Sequence, residues 1–470
     1  MTVRSMKEME SNMQKIFGIT RKRIAGISAL SLIGGMLVVA GYQTSAKADA
    51  LSTGPVTITV QYETSATGDK EWHAVAAAFE KLHPNVTIAY SPITNDAKGG
   101  SNLQVLTSDG SPDIGLIPLN SNVYTQMVAA KQLVPLDGIF AADKTAKRIG
   151  PPAAALKTDD GHYYATPHTV VWYNILWANP VAIKASGVQL PASQRFNSVA
   201  DLIAFAKGCQ KHGYAGLAIG GNTNYQASWM LDSMLPTAVS TDAFHNYLNN
   251  YKPSVPVTAH YTDAGFVNTL AALGQLAKAG VYQKGYLGMN VDQSTALFTS
   301  GKSCLLLGGS WMPGGAFADA TKAGTMKFKP TFATLPGVTA GKPASFNPYY
   351  GDAFGIPTQS KNQAWALEFL RYFISDEGQT IGALNAAGNV PAVTTIPKSA
   401  LGVLPDAVKE VMAFVNKVGA QSGWTSETPG AFSQTFINPL IQQIQSGSLT
   451  PAQVAKKQED KMNDVRKNGL

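Results

Sequence analysis

Apolar positions in this chain alternate between short runs and helical stripes. Residues 56–60 alternate apolar and polar as a strand, and residues 86–90 form a second short strand segment. Between them Trp72, Val75, Phe79 and Leu82 recur on one helical face, which His83-Pro84 ends because proline cannot continue the hydrogen-bond ladder. Residues 102–106 read as a short helix, and Asp109-Gly110-Ser111-Pro112 is a turn into the apolar segment 114–117. Further on, Ser198-x-x-Asp201 caps a helix with Leu202, Phe205, Ala206 and Cys209 on its apolar face. Ser360-x-x-Gln363 has the form of a capping box before an apolar stripe that includes Trp365, Phe369, Leu370 and Phe373. From Pro405 to about residue 463 the pattern predicts two or three helices, one starting at Thr450-Pro451. Strand and helix signals alternate throughout and no solenoid or propeller repeat is present, so the pattern predicts an α/β fold.

The most informative segment is 298–311. A helix-like stretch ends near Phe298, and Gly301-Lys302 leads into a compact apolar run, 304–307, broken by Gly308-Gly309 before Ser310 and Trp311. A run this short between glycines reads as a buried strand, and ligands in open α/β sheets sit beyond the carboxyl ends of strands. Trp311 is then either a plug at the sheet edge or an aromatic platform for a small ligand.

Charge changes the picture only at the amino end. The chain has 470 residues, 45% hydrophobic and 14% charged, with a formal net charge of +7. Residues 1–50 hold seven Lys/Arg and three Asp/Glu, leaving 30 basic and 27 acidic groups in the other 420 residues. A body so near neutral, without a basic block, gives no electrostatic case for nucleic-acid binding. Arg21-Lys22-Arg23, the uncharged apolar stretch 24–41 and the small residues Ala46-Lys47-Ala48 have the order of a secretory signal over residues 1–48. A retained anchor is the alternative. No later segment is apolar enough to span a bilayer, so the body is expected to work outside the cytoplasm.

Candidate chemistry is mostly absent. There is no H-E-x-x-H, P-loop or C-x-x-C, and Gly308-Gly309-Ser310-Trp311-Met312 misses the nucleophile elbow because Met312 stands where glycine is required. Two cysteines, Cys209 and Cys304, cannot close a metal site alone. In an exported protein they either pair or remain two small buried thiols. The body does carry aromatics and small polar groups in loops after strands: Tyr62-Glu63, Asn120-Ser121, His168 with Trp172 and Tyr173, then Trp229, Trp311 and Trp424. Stacking rings beside neutral hydrogen-bonding groups suit an uncharged, polyhydroxylated ligand.

The order of several motifs resembles bacterial extracellular solute-binding proteins of family 1, the maltose-binding-protein-like receptors of ABC sugar importers. The string begins with Phe79-Glu80-Lys81-Leu82-His83-Pro84 and Gly110-Ser111-Pro112-Asp113. It continues through Leu133-Val134-Pro135-Leu136-Asp137, with Lys131 where glycine is usual, and Asp160-Gly161-His162-Tyr163-Tyr164-Ala165-Thr166-Pro167. The family's "l-y-Y-N-k" is altered to Ile175-Leu176-Trp177-Ala178-Asn179. Phe298-x-x-Gly301-Lys302 through Gly309-Ser310-Trp311, Ser360-Lys361-Asn362-Gln363-Ala364-Trp365 and Gly388-Asn389-Val390-Pro391-Ala392 complete it.

That resemblance implies a periplasmic-binding-protein-like α/β fold, with two lobes joined by crossing segments and a ligand cleft between them. Lobe one would be 55–168 plus 353–388, and lobe two 172–352 plus 391–465. The implied cleft residues are Trp311, Trp424, Trp172, Tyr62, Glu63, Asn120, Ser121 and His168, holding a neutral mono- or oligosaccharide. Gly99-Gly100 reads first as a plain loop, with its backbone N–H groups as an alternative contact to ligand oxygens. The implied protein is a monomeric receptor rather than an enzyme. It needs no cofactor or metal and delivers ligand to the membrane subunits of an ABC permease. It departs from lipid-anchored receptors in having Tyr42, not cysteine, after Val39-Ala40-Gly41. The resemblance moves Trp311 toward platform and Cys304 toward strand packing, with a Cys209 bridge still to be tested. Two other readings compete: a ferric-iron receptor using Tyr349-Tyr350 and Tyr163-Tyr164, and a secreted glycan hydrolase using Glu63 and Asp113.

Overall fold

A computed structural model describes residues 51–63, 68–93, 102–119, 122–149, 153, 156–158, 160–223, 225–350, 352–385 and 390–469. The signal-like segment with Tyr42, Gly99-Gly100, Asn120 and Ser121 lie outside the described residues. Within them, eleven strands form: β1 Val56–Glu63, β2 Val86–Ile93, β3 Gly115–Pro118, β4 Thr166–Pro167, β5 Thr169–Ala178, β6 Ala215–Ala218, β7 Ser303–Gly309, β8 Thr331–Thr334, β9 Asn347–Tyr349, β10 Asp352–Gly355 and β11 Val390–Pro391.

The first sheet group centres on β1. It pairs in parallel with β2 along its whole length, from Val56 opposite Val86 to Glu63 opposite Ile93. A parallel bridge from Val60 to Ile114 leads to β3, and β10 then pairs antiparallel with both β3 and β4. The helix Gly68–Leu82 packs Trp72, Val75 and Phe79 into one core against Phe354, Phe369 and Phe373. Leu82, expected on the same face, is 56% exposed, because the helix ends there and its last turn overhangs the core. A second, smaller cluster with Leu106, Ile117, Met127 and Ala353 adjoins this sheet group.

The second sheet group runs β11-β5-β7-β6, with β8 and β9 also pairing to β5. Helices Val199–Lys211, Gln226–Ala238, Ala264–Lys278 and Gln434–Ser446 share its larger core, in which Trp424 is fully buried. Another cluster holds Trp172, Trp177, Phe346 and residues of the helix Asp406–Val418. The caps at Ser198 and Thr450 form as the sequence predicts: Ser198 accepts from the Asp201 N–H, and Thr450 with Gln453 makes a full capping box.

Two expectations change, and one open alternative, the pairing of the cysteines, closes. Ser360 does not cap the helix Gln363–Phe373; Asn362 stands at its start, and the Ser360 hydroxyl donates to Asp113 Oδ1 at 2.7 Å. The buried Asp113 carboxylate also accepts from the Thr59 N–H at 2.9 Å, which makes it a tie between strand and helix start. Cys209 and Cys304 are bridged, with Cα atoms 6.4 Å apart, joining the helix Val199–Lys211 to β7. Finally, Ala392, Val393, Ile396 and Ala400 pack in the first lobe's core, and Leu404 onward joins the second, so the last connection falls about ten residues beyond Gly388-Pro391.

Candidate functional site

β7 is buried along its whole length, as an apolar run between glycines should be, and it ends at Gly309. Ser310 then locks the strand end to β5: its N–H donates to the Trp172 carbonyl at 2.8 Å and its hydroxyl accepts from the Trp172 N–H at 3.0 Å. The next side chain, Trp311, folds back on Gly309, where a Cβ would lie 1.9 Å from the indole ring. Glycine is required there so that the ring can lie against the backbone. Trp311 stays half-buried and packs against the cluster that contains Trp172.

An array of rings continues from it. Trp229 meets Trp311 edge-on with centroids 5.7 Å apart, and it packs against Tyr173 at 5.0 Å and Tyr225 at 4.7 Å. Tyr173 in turn lies 6.4 Å from Tyr349. The arrangement depends on a bulge in β5. Asn174 takes a left-handed backbone (φ 64°) and breaks the register between Tyr173 and Ile175. Its amide donates to the Trp229 carbonyl at 2.6 Å and to Asn347 Oδ1 at 2.7 Å, which pins the bulge to the ring-bearing helix and to β9.

Under the rings lies a carboxylate network. Asp232 is fully buried and accepts from Tyr173 Oη at 2.7 Å, the Thr425 N–H at 2.7 Å and Thr425 Oγ1 at 2.5 Å. Burial pushes its pKa up to about 6, against the lowering effect of those donors. Burial also raises the Tyr173 hydroxyl well above its ordinary range. The short helix Trp424–Glu427 closes the network. Gly423, just before it, admits Tyr173 Oη where a Cβ would come within 2.2 Å. Trp424 points into the core and donates from Nε1 to the Tyr247 carbonyl at 3.1 Å, while Ser426 Oγ lies within hydrogen-bond distance of Tyr173 Oη, at 2.9 Å. Glu427 is the one solvent-exposed side chain of the turn, and desolvation by the surrounding protein raises its pKa to about 7.

The expected cleft residues therefore separate. Trp311 and Trp172 come together at the end of the second sheet, though Trp172 is only 8% exposed and has little surface for a ligand. Tyr62 is half-buried near the carboxyl end of β1, packed against Tyr90 at 5.5 Å and His73 at 6.1 Å. Glu63 closes β1, and its side chain lies outside the described residues. Two assignments are corrected. Trp424 is fully buried among Tyr261, Phe266 and Phe432, so it anchors the turn and cannot stack on a ligand. His168 sits between β4 and β5, where Nε2 pairs with the buried Glu71 and the ring packs against Trp72 and Phe354, both at 5.5 Å; it is a core residue at the crossing. Glu427, Tyr225 and Glu71 were not singled out by sequence reasoning. The available signal for Glu427 was its place as an acid between small residues, Gly423-Trp424-Thr425-Ser426-Glu427-Thr428-Pro429-Gly430, in an acid-poor chain.

The alternative chemistries lose their geometry. Tyr163 stacks on Phe140 at 3.9 Å and Tyr164 donates to Asp160, in the first lobe, whereas Tyr349 lies on β9 beside Tyr173. Burial raises Tyr164 to about 12 and Tyr350 well above its normal range, opposite to what phenolate ligation of iron needs. Asp113 is tied up by Thr59 and Ser360 and cannot serve as a glycosidase acid.

Similarity to known proteins establishes the family of this fold. The family model described as bacterial extracellular solute-binding protein matches residues 63–380. An uncharacterized ABC transporter extracellular-binding protein of Pyrococcus horikoshii is 22% identical over 456 residues, covering 94% of this chain and 96% of that one. A chitin oligosaccharide binding protein shares the fold at a TM-score of 0.70 and 18% identity, over 87% of this chain and 100% of the other. The GacH receptor of Streptomyces glaucescens, solved unliganded and with acarbose, does so at a TM-score of 0.68 and 20% identity, over 88% and 100%. With the two-lobed α/β fold, the match over most of the body makes this chain a member of the bacterial extracellular solute-binding protein family.

Proposed function

We propose that the protein is the extracellular substrate-binding receptor of an ABC importer, taking a mono- or oligosaccharide between its lobes and delivering it to the membrane permease. The observation that carries this reading is the set of partly exposed rings Trp311, Trp229 and Tyr225, braced by the buried Tyr173 with Tyr349 at its edge, beyond the carboxyl end of β7. Apolar ring faces cover the C–H faces of a sugar, and a few polar groups fix its orientation. The solved relatives that bind chitin oligosaccharide or acarbose support the same class of ligand. Tyr62 on β1 would complete the cleft from the other lobe, and closure would bury rings from both sides. The protein acts as a monomer, without catalysis and without nucleic acid. Export by the segment 1–48 would place it outside the membrane.

Calorimetry with a panel of neutral mono- and oligosaccharides tests the reading. Binding of at least one sugar at micromolar Kd or better, with a change in tryptophan fluorescence, is expected. A panel without a binder, together with Trp311→Ala leaving the protein's fluorescence response to every sugar unchanged, would refute it.

A further inference from the structure

Every residue of the turn Trp424–Glu427 except the last is committed inward. Trp424 holds the Tyr247 carbonyl, Thr425 holds Asp232 through both its N–H and its hydroxyl, and Ser426 holds Tyr173. Glu427 alone is left facing solvent, beside the ring array, and it has no ion-pair partner among the described residues. We propose that Glu427 determines the specificity of the cleft: its carboxylate accepts hydroxyl hydrogens of an uncharged sugar and repels sugars that carry a carboxylate or phosphate. The inference rests on the sugar-receptor reading above.

The charges around it point the same way. The groups that face Glu427 are Tyr173 from β5, Tyr350 from the segment after β9, Asp232 from the helix Gln226–Ala238, and Ser422 just before its own turn. None is cationic, both tyrosines are held neutral by burial, and Asp232 adds a second acid behind the first. A neutral polyol satisfies the Glu427 oxygens without an ion-pair partner, whereas an anion would bring like charge beside the Glu427 and Asp232 carboxyls. Burial and Asp232 raise Glu427 to about 7, so its acceptor capacity falls when it protonates below neutral pH.

The test uses the full chain, the tightest neutral sugar of the panel, and that sugar's uronic acid counterpart. Wild type is expected to bind the neutral sugar at least 100-fold more tightly than the uronate, and to lose at least 5-fold in affinity between pH 8 and pH 6. E427Q is expected to bind the neutral sugar at least 10-fold more weakly, with a smaller neutral-to-uronate ratio and a flat pH profile. A matching melting curve and tryptophan spectrum establish that E427Q is folded, and W311A serves as a variant that weakens both sugars without changing the pH profile. If E427Q binds the neutral sugar as wild type does, or keeps the wild-type pH profile, the inference is overturned while the sugar reading stands. If no sugar binds to wild type, the receptor reading itself fails, and this inference with it.

Discussion

Removing the Cys209–Cys304 bridge gives a sharp test of how the second lobe is held together. The bridge closes a loop of 95 residues between the helix Val199–Lys211 and the central strand β7. In the chain-entropy account, a loop of ~100 residues restricts the unfolded chain by about 4.7 kcal/mol, and native bridges more commonly contribute about 2–4. Both sulfurs are fully buried, so C209A/C304A also loses packing, about 1 kcal/mol for each small group removed. The single variant C209A separates the two effects, because it breaks the bridge and leaves Cys304 in place. Urea unfolding followed by tryptophan fluorescence should show C209A losing ~2–5 kcal/mol, with little further loss in the double variant. Ligand affinity should be unchanged, since neither cysteine touches the ring array. A loss below about 1 kcal/mol in C209A, or two titratable thiols in the oxidised, denatured wild type, would refute the reasoning.

The other predictions concern the cleft and the crossing. Trp311→Ala should weaken sugar binding by about 2–3 kcal/mol, roughly 30- to 150-fold by calorimetry, as removal of a central aromatic anchor does. Gly309→Ala should weaken binding by about 10-fold or more with the fold kept, because its Cβ would occupy the space of the Trp311 ring; unchanged affinity would mean the ring is not used. Folding stability without ligand should fall as pH rises from about 4 to 7, measured by thermal melting. Asp232 and Glu427 have folded pKa values near 6 and 7, above their unfolded values, so the native state binds more protons in that window; a stability that instead rises with pH there would contradict the assignment. His168→Ala should cost about 3 kcal/mol or more, since it removes a partner of the buried Glu71 carboxylate, and His168→Gln should recover part of that.

Much of the fold was legible because its signals are local. The alternation in β1, the stripe at Trp72, Val75 and Phe79, the cap at Ser198 and the box at Thr450 each depend on residues within a few positions of one another. What failed depended on distant partners. Ser360 had the spacing of a cap, but the buried Asp113, 247 positions away, takes its hydroxyl. His168 and Trp424 stood in loop-like settings and read as exposed, yet Glu71 and the Tyr247 carbonyl draw their polar atoms inward. Glu427 was overlooked for the converse reason: its exposure follows from three neighbours being held inward, which no spacing announces. Trp311 was legible because β7 and the glycines that end it fix both its height and the direction of its ring.

The contact between Trp311 and Gly309 also bears on how fast and how tightly a ligand can be taken. A tryptophan laid on bare backbone and braced edge-on by Trp229 has already lost most of its rotamer freedom in the empty protein. An incoming sugar then meets a surface set in place, so little side-chain ordering is charged against its binding. What remains to be ordered when ligand binds is then the approach of the lobes rather than the platform itself.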